Sequence, residues 1–213
     1  MKSFMILGLG RFGVAIAETL YNLGNEVLVM DKNAEVINEI SERVTHAVIG
    51  DICDENTLRS IGARNFDVVV LASAGSMEVS IMATMVLKEI GVKYLAVKAH
   101  DSLHAKILLK IGADKVFMPE HDMGVRVAHT LVRGDFLDFI ELSADYSIGE
   151  LSVPEHWHGK TMAELNVRSG YGINVLAVKN GNTINPEPAA DYVFKKGDVI
   201  AVVGSNKKLA KLK

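Results

Sequence analysis

The chain holds one cysteine, Cys53, among 213 residues, which excludes an intramolecular disulfide and any zinc site built mainly of thiolates. Standing alone, Cys53 reads as a small apolar core residue. No uninterrupted apolar stretch approaches the roughly 18 residues that a membrane-spanning helix needs, and Met1-Lys2-Ser3 runs straight into a strand-like segment instead of a signal peptide. A cytosolic location is the expectation. Positive charge is not in excess either: the formal net charge is -3, so no nucleic-acid partner is expected. No stretch rich in proline or serine marks a linker, and no segment repeats the N-terminal one. What is present, 49% hydrophobic and 23% charged residues, is the composition of a folded protein that can bury a full core.

From the N-terminus, apolar runs of strand length alternate with segments of helical period. The runs are Phe4 to Leu7, Val27 to Met30, His46 to Ile49, Val68 to Ala72, Leu95 to Val97 and Lys115 to Met118. Continuous apolar strands suit a parallel sheet covered on both faces, because each strand is buried on two sides. Gly24, Gly91 and Gly112 each follow an amphipathic run, where a C-terminal cap needs tolerance of positive φ. The expected fold is therefore α/β, a Rossmann-type doubly wound sheet over residues 1–120. A connecting helix over about 121–133, within a segment 121–139 that holds the turn Gly134-Asp135, leads to a smaller α+β domain over 140–213. In that second part Phe139 to Leu142 and Glu150 to Val153 read as strands. Thr161-Met162-Ala163-Glu164 reads as a capping box, and Asn180-Gly181 as a hairpin turn after Val175 to Val178. Lys196-Gly197-Asp198 then turns into a last strand, Val199 to Val203.

Gly8-Leu9-Gly10-Arg11-Phe12-Gly13 is a G-x-G-x-x-G that directly follows a predicted strand and opens a predicted helix. The glycines permit the tight turn, the approach of a phosphate, and close packing of helix on sheet. Asp31 ends the second strand, where an acidic side chain accepts hydrogen bonds from ribose hydroxyls and repels a 2′-phosphate; Lys32 follows it. This combination points to an adenine nucleotide. Arg11 lies by the positive end of the helix dipole, a conflict worth a few tenths of a kcal/mol; either an additional phosphate removes it or the side chain points away into solvent. Asp51, Ala72 with Ser73, Lys98 with His100, and Glu120 fall at the ends of the third to sixth strands, on the edge where open α/β folds bind ligands. A carboxylate there can hold a divalent cation that bridges phosphates, although a solvated loop glutamate is the commoner case.

The same fingerprint suits an NAD(H)-dependent oxidoreductase or redox sensor. That alternative finds no hydride-transfer chemistry in the rest of the chain. Tyr94-x-x-x-Lys98 and Tyr192-x-x-x-Lys196 have the spacing of a short-chain dehydrogenase pair, but the first lies on a predicted strand and the second in a loop. No acid, base and nucleophile set follows the nucleotide unit. His100 and His104, spaced i, i+4, are candidate metal ligands without an evident third, and His156-Trp157-His158 reads as packing and surface chemistry. The methionine-rich helix around Met82 and Met85 reads as core or as a subunit interface, the latter suggested by a mean hydropathy of +0.20.

The ordered series G-L-G-R-F-G, V-M-D, G-D, L-A-S, K-A-H and M-P-E, then R-S-G-Y-G-I-N-V-L-A-V and K-K-G-D-V-I-A-V-V-G, resembles the regulator-of-potassium-conductance family (RCK or KTN, with TrkA-N and TrkA-C domains) along essentially the whole chain. Within it, the Ktr-type cytosolic subunits are the nearest pattern. The resemblance implies a non-enzymatic regulator that binds ATP and ADP competitively. It implies dimers that build an octameric ring beneath an integral-membrane potassium translocating subunit (KtrB-type), at the inner face of the membrane. It carries the phosphate loop, with Phe12 inside it, onto Gly8, Gly10 and Gly13, ribose binding onto Asp31, and the adenine side onto Asp51 and Ile52. Arg11 matches an arginine that senses the terminal phosphate, and Glu120 an acidic residue that holds Mg2+ or Ca2+ beside it. Arg168, Ile173 and Asn174 match residues of a pocket for cyclic di-AMP between paired subunits.

Overall fold

The computed structural model describes residues 1–73, 76–133, 136–143 and 145–212, so the turn expected at Gly134-Asp135 lies outside the described residues. The chain divides into two compact units, Met1–Asp122 and Met123–Lys213.

The first unit runs β1 (Ser3–Leu7), α1 (Arg11–Asn22), β2 (Glu26–Asp31), α2 (Ala34–Ile40), β3 (His46–Ile49), α3 (Glu55–Ser60), β4 (Val68–Leu71), α4 (Met77–Ile90), β5 (Leu95–Lys98), α5 (Ser102–Ile111) and β6 (Lys115–Phe117), and enters α6 (Pro119–Arg133). All six strands pair in parallel in the order β3-β2-β1-β4-β5-β6, the doubly wound arrangement in which strand order reverses between β1 and β4. Successive strand residues feed opposite faces. Met5, Leu7, Leu28, Met30, Val69 and Leu71 enter one apolar cluster with α4 and α5. Ile6, Val27, Val29 and Val70 enter the other with α1 and α2. This two-sided burial is why the inner strands read as apolar runs, whereas the edge strands β3 and β6 keep exposed residues. Gly24, Gly91 and Gly112 end α1, α4 and α5 with positive φ, as the spacing predicts.

The second unit builds a five-stranded sheet from β7 (Phe136–Glu141), β8 (Tyr146–Ser152), β9 (Ile173–Asn180), β10 (Thr183–Asn185) and β11 (Asp198–Ser205), in the order β10-β9-β11-β8-β7 and antiparallel throughout. Two short helices accompany it, α7 (Met162–Leu165) and α8 (Asn206–Leu209). The Thr161–Glu164 capping box forms in both directions, and Asn180-Gly181 turns β9 into β10. Two boundaries differ from the sequence expectation. β7 starts at Phe136, not Phe139, and β8 at Tyr146, not Glu150. In β8 the inward positions include Ser147 and Gly149, so polar and small residues interrupt the apolar alternation that sequence reading follows; Ser147 is fully buried and its hydroxyl donates to Asn206 Oδ1 at 2.6 Å. Trp157 and Phe194, both 0% exposed, centre this core. Trp157 is therefore packing, as expected for His156-Trp157-His158.

Candidate functional site

Four of the first five helices begin with a side-chain cap. Asn33, Asp54, Ser76 and Asp101 accept backbone N–H groups of α2, α3, α4 and α5 respectively. The exception is α1. Its N-cap is Gly10, with no side-chain cap bond and no acidic residue in the first turn. The first-turn N–H donors and the positive end of the helix dipole are thus left for something that is not a side chain, which is the construction of a phosphate site.

Two glycines are required by geometry. At Gly8, φ is +91° and a Cβ would lie 2.6 Å from Ser73 Cα, so the ends of β1 and β4 approach too closely for any side chain. At Gly13 a Cβ would lie 2.1 Å from the Gly8 carbonyl oxygen and 3.2 Å from Ala72 Cβ. Gly13 and Ala72 are buried behind the loop, and Phe12 packs into the cluster under α1. These three shape the site and do not line it.

A cleft of ≈ 400 Å³ opens beside the loop, lined by Gly8, Leu9, Gly10, Asp31, Lys32, Asn33, Val36, Gly50, Asp51, Ile52, Cys53, Ser73 and Val79. Seven of the residues expected for nucleotide binding, Gly8, Gly10, Asp31, Lys32, Asp51, Ile52 and Ser73, meet there. Asp31 also braces the loop: Oδ2 accepts the Leu9 N–H at 2.6 Å and Oδ1 the Asn33 N–H at 2.9 Å. Each carboxylate oxygen retains a second lone pair for a ribose hydroxyl. Asp51 Oδ1 accepts the Cys53 N–H at 2.9 Å. Cys53 is half-buried, its thiol donates to the Val79 carbonyl at 3.7 Å, and burial and then the Asp51 charge push its pKa up, the opposite of a reactive thiolate. Sequence reading passed over Cys53, Val36 and Val79 as cleft walls, since apolar residues carry no motif signal.

Arg11 is exposed on the first turn of α1, without a hydrogen bond or ion pair among the described residues. Lys98, His100 and Glu120 form a separate group on the same sheet edge, beyond β4, and outside the cleft lining. Lys98 Nζ donates to Glu120 Oε1 at 2.5 Å, with Lys98 8% exposed and Glu120 70% exposed. That hydrogen bond, followed by one from Glu120's own backbone N–H, holds the Glu120 carboxyl below the usual range.

The reading of His100 and His104 as metal ligands on one helical face is corrected. His100 precedes the Asp101 N-cap, and His104 is 0% exposed with both ring nitrogens engaged. Nδ1 accepts the His100 N–H at 3.3 Å, and Nε2 is 2.8 Å from Ser80 Oγ, which donates to the Met77 carbonyl at 2.9 Å. This fixes a neutral imidazole with its proton on Nε2. Burial, and then the His100 charge, lower its pKa. Among the described residues no group of three His, Cys, Asp or Glu could hold a metal ion. The dehydrogenase-like pairs also separate: Tyr94 lies before β5 and Lys98 at its far end, while Tyr192 donates to Asp198 Oδ2.

In the second unit Arg168, Ile173 and Asn174 line one hollow of ≈ 340 Å³ with Asn166, Pro188 and Ala190. Asn166 there holds a left-handed φ of 46°.

A six-stranded parallel sheet with an uncapped glycine loop and an acidic residue ending β2, joined to a small antiparallel unit, defines a class of paired TrkA-N and TrkA-C domains. The TrkA-N domain matches residues 4–119 and the TrkA-C domain residues 148–213. The chain is 42% identical over 204 residues to Ktr system potassium uptake protein C of Bacillus subtilis (strain 168), covering 96% of this chain and 92% of that protein. It is 38% identical over 209 residues to Ktr system potassium uptake protein A of Vibrio alginolyticus, covering 98% and 95%. The protein belongs to this family of Ktr potassium uptake proteins. The fold is also that of the GsuK RCK domain (TM-score 0.69, 17% identity) and of the GsuK channel bound to NAD (TM-score 0.67, 17% identity). Each match covers 99% of this chain, and 46% and 38% of those chains. No helix among the described residues is long and apolar enough to cross a membrane.

Proposed function

We propose that this protein is a nucleotide-gated regulatory subunit of a potassium uptake system, in which ATP and ADP compete for the cleft at the end of β1. The observation that carries the reading is the N-terminus of α1, left without any side-chain cap where its neighbours all have one, directly beside a cleft of ligand size. Phosphates take the α1 amides and the Gly8–Gly10 turn, Asp31 takes ribose, and Ile52, Val36 and Val79 flank the base. Arg11, solvated and unpaired among the described residues, turns to the terminal phosphate that only ATP carries. ATP then shifts the population of assembly states by no more than that added contact is worth.

Glu120 suits a hard cation as an exposed oxygen donor on the phosphate side of the edge. With one carboxylate at hand, the remaining ligands are phosphate oxygens and water, a coordination that Mg2+ accepts and Ca2+ can share. The partner is an integral-membrane KtrB-type translocating subunit, which holds this chain at the inner face of the membrane. Homodimers assembling to an octameric ring fit the exposed apolar residues of α6, where Met123, Val127 and Leu131 recur every four residues at 54%, 46% and 77% exposure. Met82 and Met85 on α4 are exposed as well. In the same reading the hollow beside Arg168, Ile173 and Asn174 takes cyclic di-AMP. The NAD-bound channel of like fold keeps NAD(H) as the competing ligand.

Potassium flux into vesicles containing a Ktr-type translocating subunit, measured with this protein added in its ATP or ADP form, tests the proposal. Different flux with the two nucleotides is expected. Identical flux with both, or no effect of the protein, overturns it.

A further inference from the structure

Lys98 is a lysine at the end of a parallel strand, 8% exposed, and a buried ammonium needs an anionic partner close by. Its partner is set by the backbone. β5 and β6 pair with Lys98 opposite Phe117, and the Ala99 N–H donates to the Phe117 carbonyl at 2.8 Å. The chain then enters α6 at Pro119, which brings the Glu120 carboxylate back over Lys98, Oε1 at 2.5 Å from Nζ. The pair is lopsided: its anion is 70% exposed and its cation is not. Removing Glu120 strands a buried charge, whereas removing Lys98 leaves a carboxylate already in water.

We infer that Lys98 is a resident cation that competes with the divalent ion for Glu120, so that metal binding at this edge is an exchange instead of an addition. The inference rests on the reading of Glu120 as the cation ligand. A divalent ion on Glu120 meets either the ammonium on the same carboxylate or the cost of moving it, and two cations sharing one carboxylate repel strongly at this separation. Lys98 yields readily only when another anion can accept it. β5 ends two strand spacings from β1, about 10 Å along the edge on which the phosphates would lie. A longer phosphate chain supplies that anion and a shorter one does not. Lys98 therefore ties cation occupancy to nucleotide identity: the ADP form keeps Lys98 on Glu120, and the ATP form releases Glu120 to the ion.

The test uses the full-length protein, dialysed and loaded with one ADP or one ATP per chain. Mn2+ is titrated in, and bound ion is read from loss of the free-ion EPR signal, in wild type, Lys98→Met and Glu120→Gln. Wild type is expected to bind Mn2+ more tightly in its ATP form. Lys98→Met is expected to tighten Mn2+ binding in the ADP form by roughly tenfold and to shrink the difference between the two forms, while Glu120→Gln loses the site in both. Unchanged or weaker Mn2+ binding by Lys98→Met, with the site still lost in Glu120→Gln, overturns the competition and leaves Glu120 as ligand. Wild-type affinity in Glu120→Gln overturns the ligand assignment itself, and the inference with it. Should Lys98→Met prove insoluble, Lys98→Gln keeps a neutral polar side chain of similar length and carries the same expectations.

Discussion

Replacing Gly13 by alanine puts a methyl group 2.1 Å from the Gly8 carbonyl oxygen and 3.2 Å from Ala72 Cβ. Neither neighbour can yield: Gly8 is tied to β2 by its N–H to the Met30 carbonyl at 2.9 Å, and Ala72 to β1 by its N–H to the Leu7 carbonyl at 2.8 Å. The start of α1 must therefore retreat by about 1 Å to restore an ordinary contact, and forced overpacking of this kind costs roughly 1–3 kcal/mol. Alanine recovers up to about 1 kcal/mol through its better helix propensity, and with that gain in full the net loss is roughly 0–2 kcal/mol. The same retreat withdraws the α1 amides from the phosphate position, so ADP affinity should fall at least about tenfold, worth roughly 1.4 kcal/mol. Gly124→Ala in α6 is the control. Nothing lies within 4 Å of its Cβ position, so only the propensity gain of about 0.5–1 kcal/mol applies and stability should rise. Thermal unfolding by far-UV circular dichroism and calorimetric ADP titration read both effects. Wild-type stability and wild-type ADP affinity in Gly13→Ala would refute the packing argument.

Arg11→Ala should weaken ATP roughly tenfold or more through loss of a charge-assisted hydrogen bond, and ADP much less; equal losses in parallel titrations count against Arg11 as the terminal-phosphate contact. His104 predicts a pH effect on stability. Its folded pKa lies below the ordinary 6.5, so between the two values the unfolded chain binds a proton that the folded one does not. Stability is complete above about pH 6.5 and falls on acidification by up to about 1.4 kcal/mol per pH unit until the folded pKa is passed. His104→Gln should flatten that slope in denaturant titrations at several pH values, and an unchanged slope would show that His104 is not its source. Asp198, 1% exposed, accepts from Asn180 Nδ2 at 2.6 Å, the Tyr192 hydroxyl at 2.9 Å and the Lys195 N–H at 2.8 Å. Asp198→Asn turns an amide toward donors and should cost about 2–4 kcal/mol, followed by the fluorescence of Trp157 in the same core; a loss under 0.5 kcal/mol, within the range of ordinary surface changes of about that size, contradicts the assignment.

Much of the first unit is legible in the sequence because β1, β2, β4 and β5 are buried on both faces and read as apolar runs, while the edge strands β3 and β6 keep exposed residues and are marked by their place in the alternation with helices. The phosphate loop was equally plain, since Gly8 and Gly13 are demanded by contacts that no other residue survives. Other features depend on tertiary packing. His100 and His104 are spaced as helical ligands, yet the helix begins between them, at the Asp101 cap, and turns His104 inward. The start of β8 is hidden because its inward Ser147 is satisfied by Asn206, 59 residues away in sequence. Spacing placed Lys98 and Glu120 on one edge, but nothing in it reveals an ion pair, which arises from how β6 hands the chain to α6. The stripe Met123, Val127 and Leu131 carries no signal of exposure in the sequence, because an apolar row at helical spacing, with Val125 and Ala128 among its neighbours, reads as an ordinary packed face.

Nucleotide preference decides the central claim. Calorimetric titration of the purified protein with ATP, ADP, NADH and NAD, each with and without Mg2+, should give tight binding of both mononucleotides and weak binding of both dinucleotides, with Mg2+ favouring ATP. Selective binding of NADH, with ATP and ADP weak, would contradict a gating subunit that reads the terminal phosphate at Arg11.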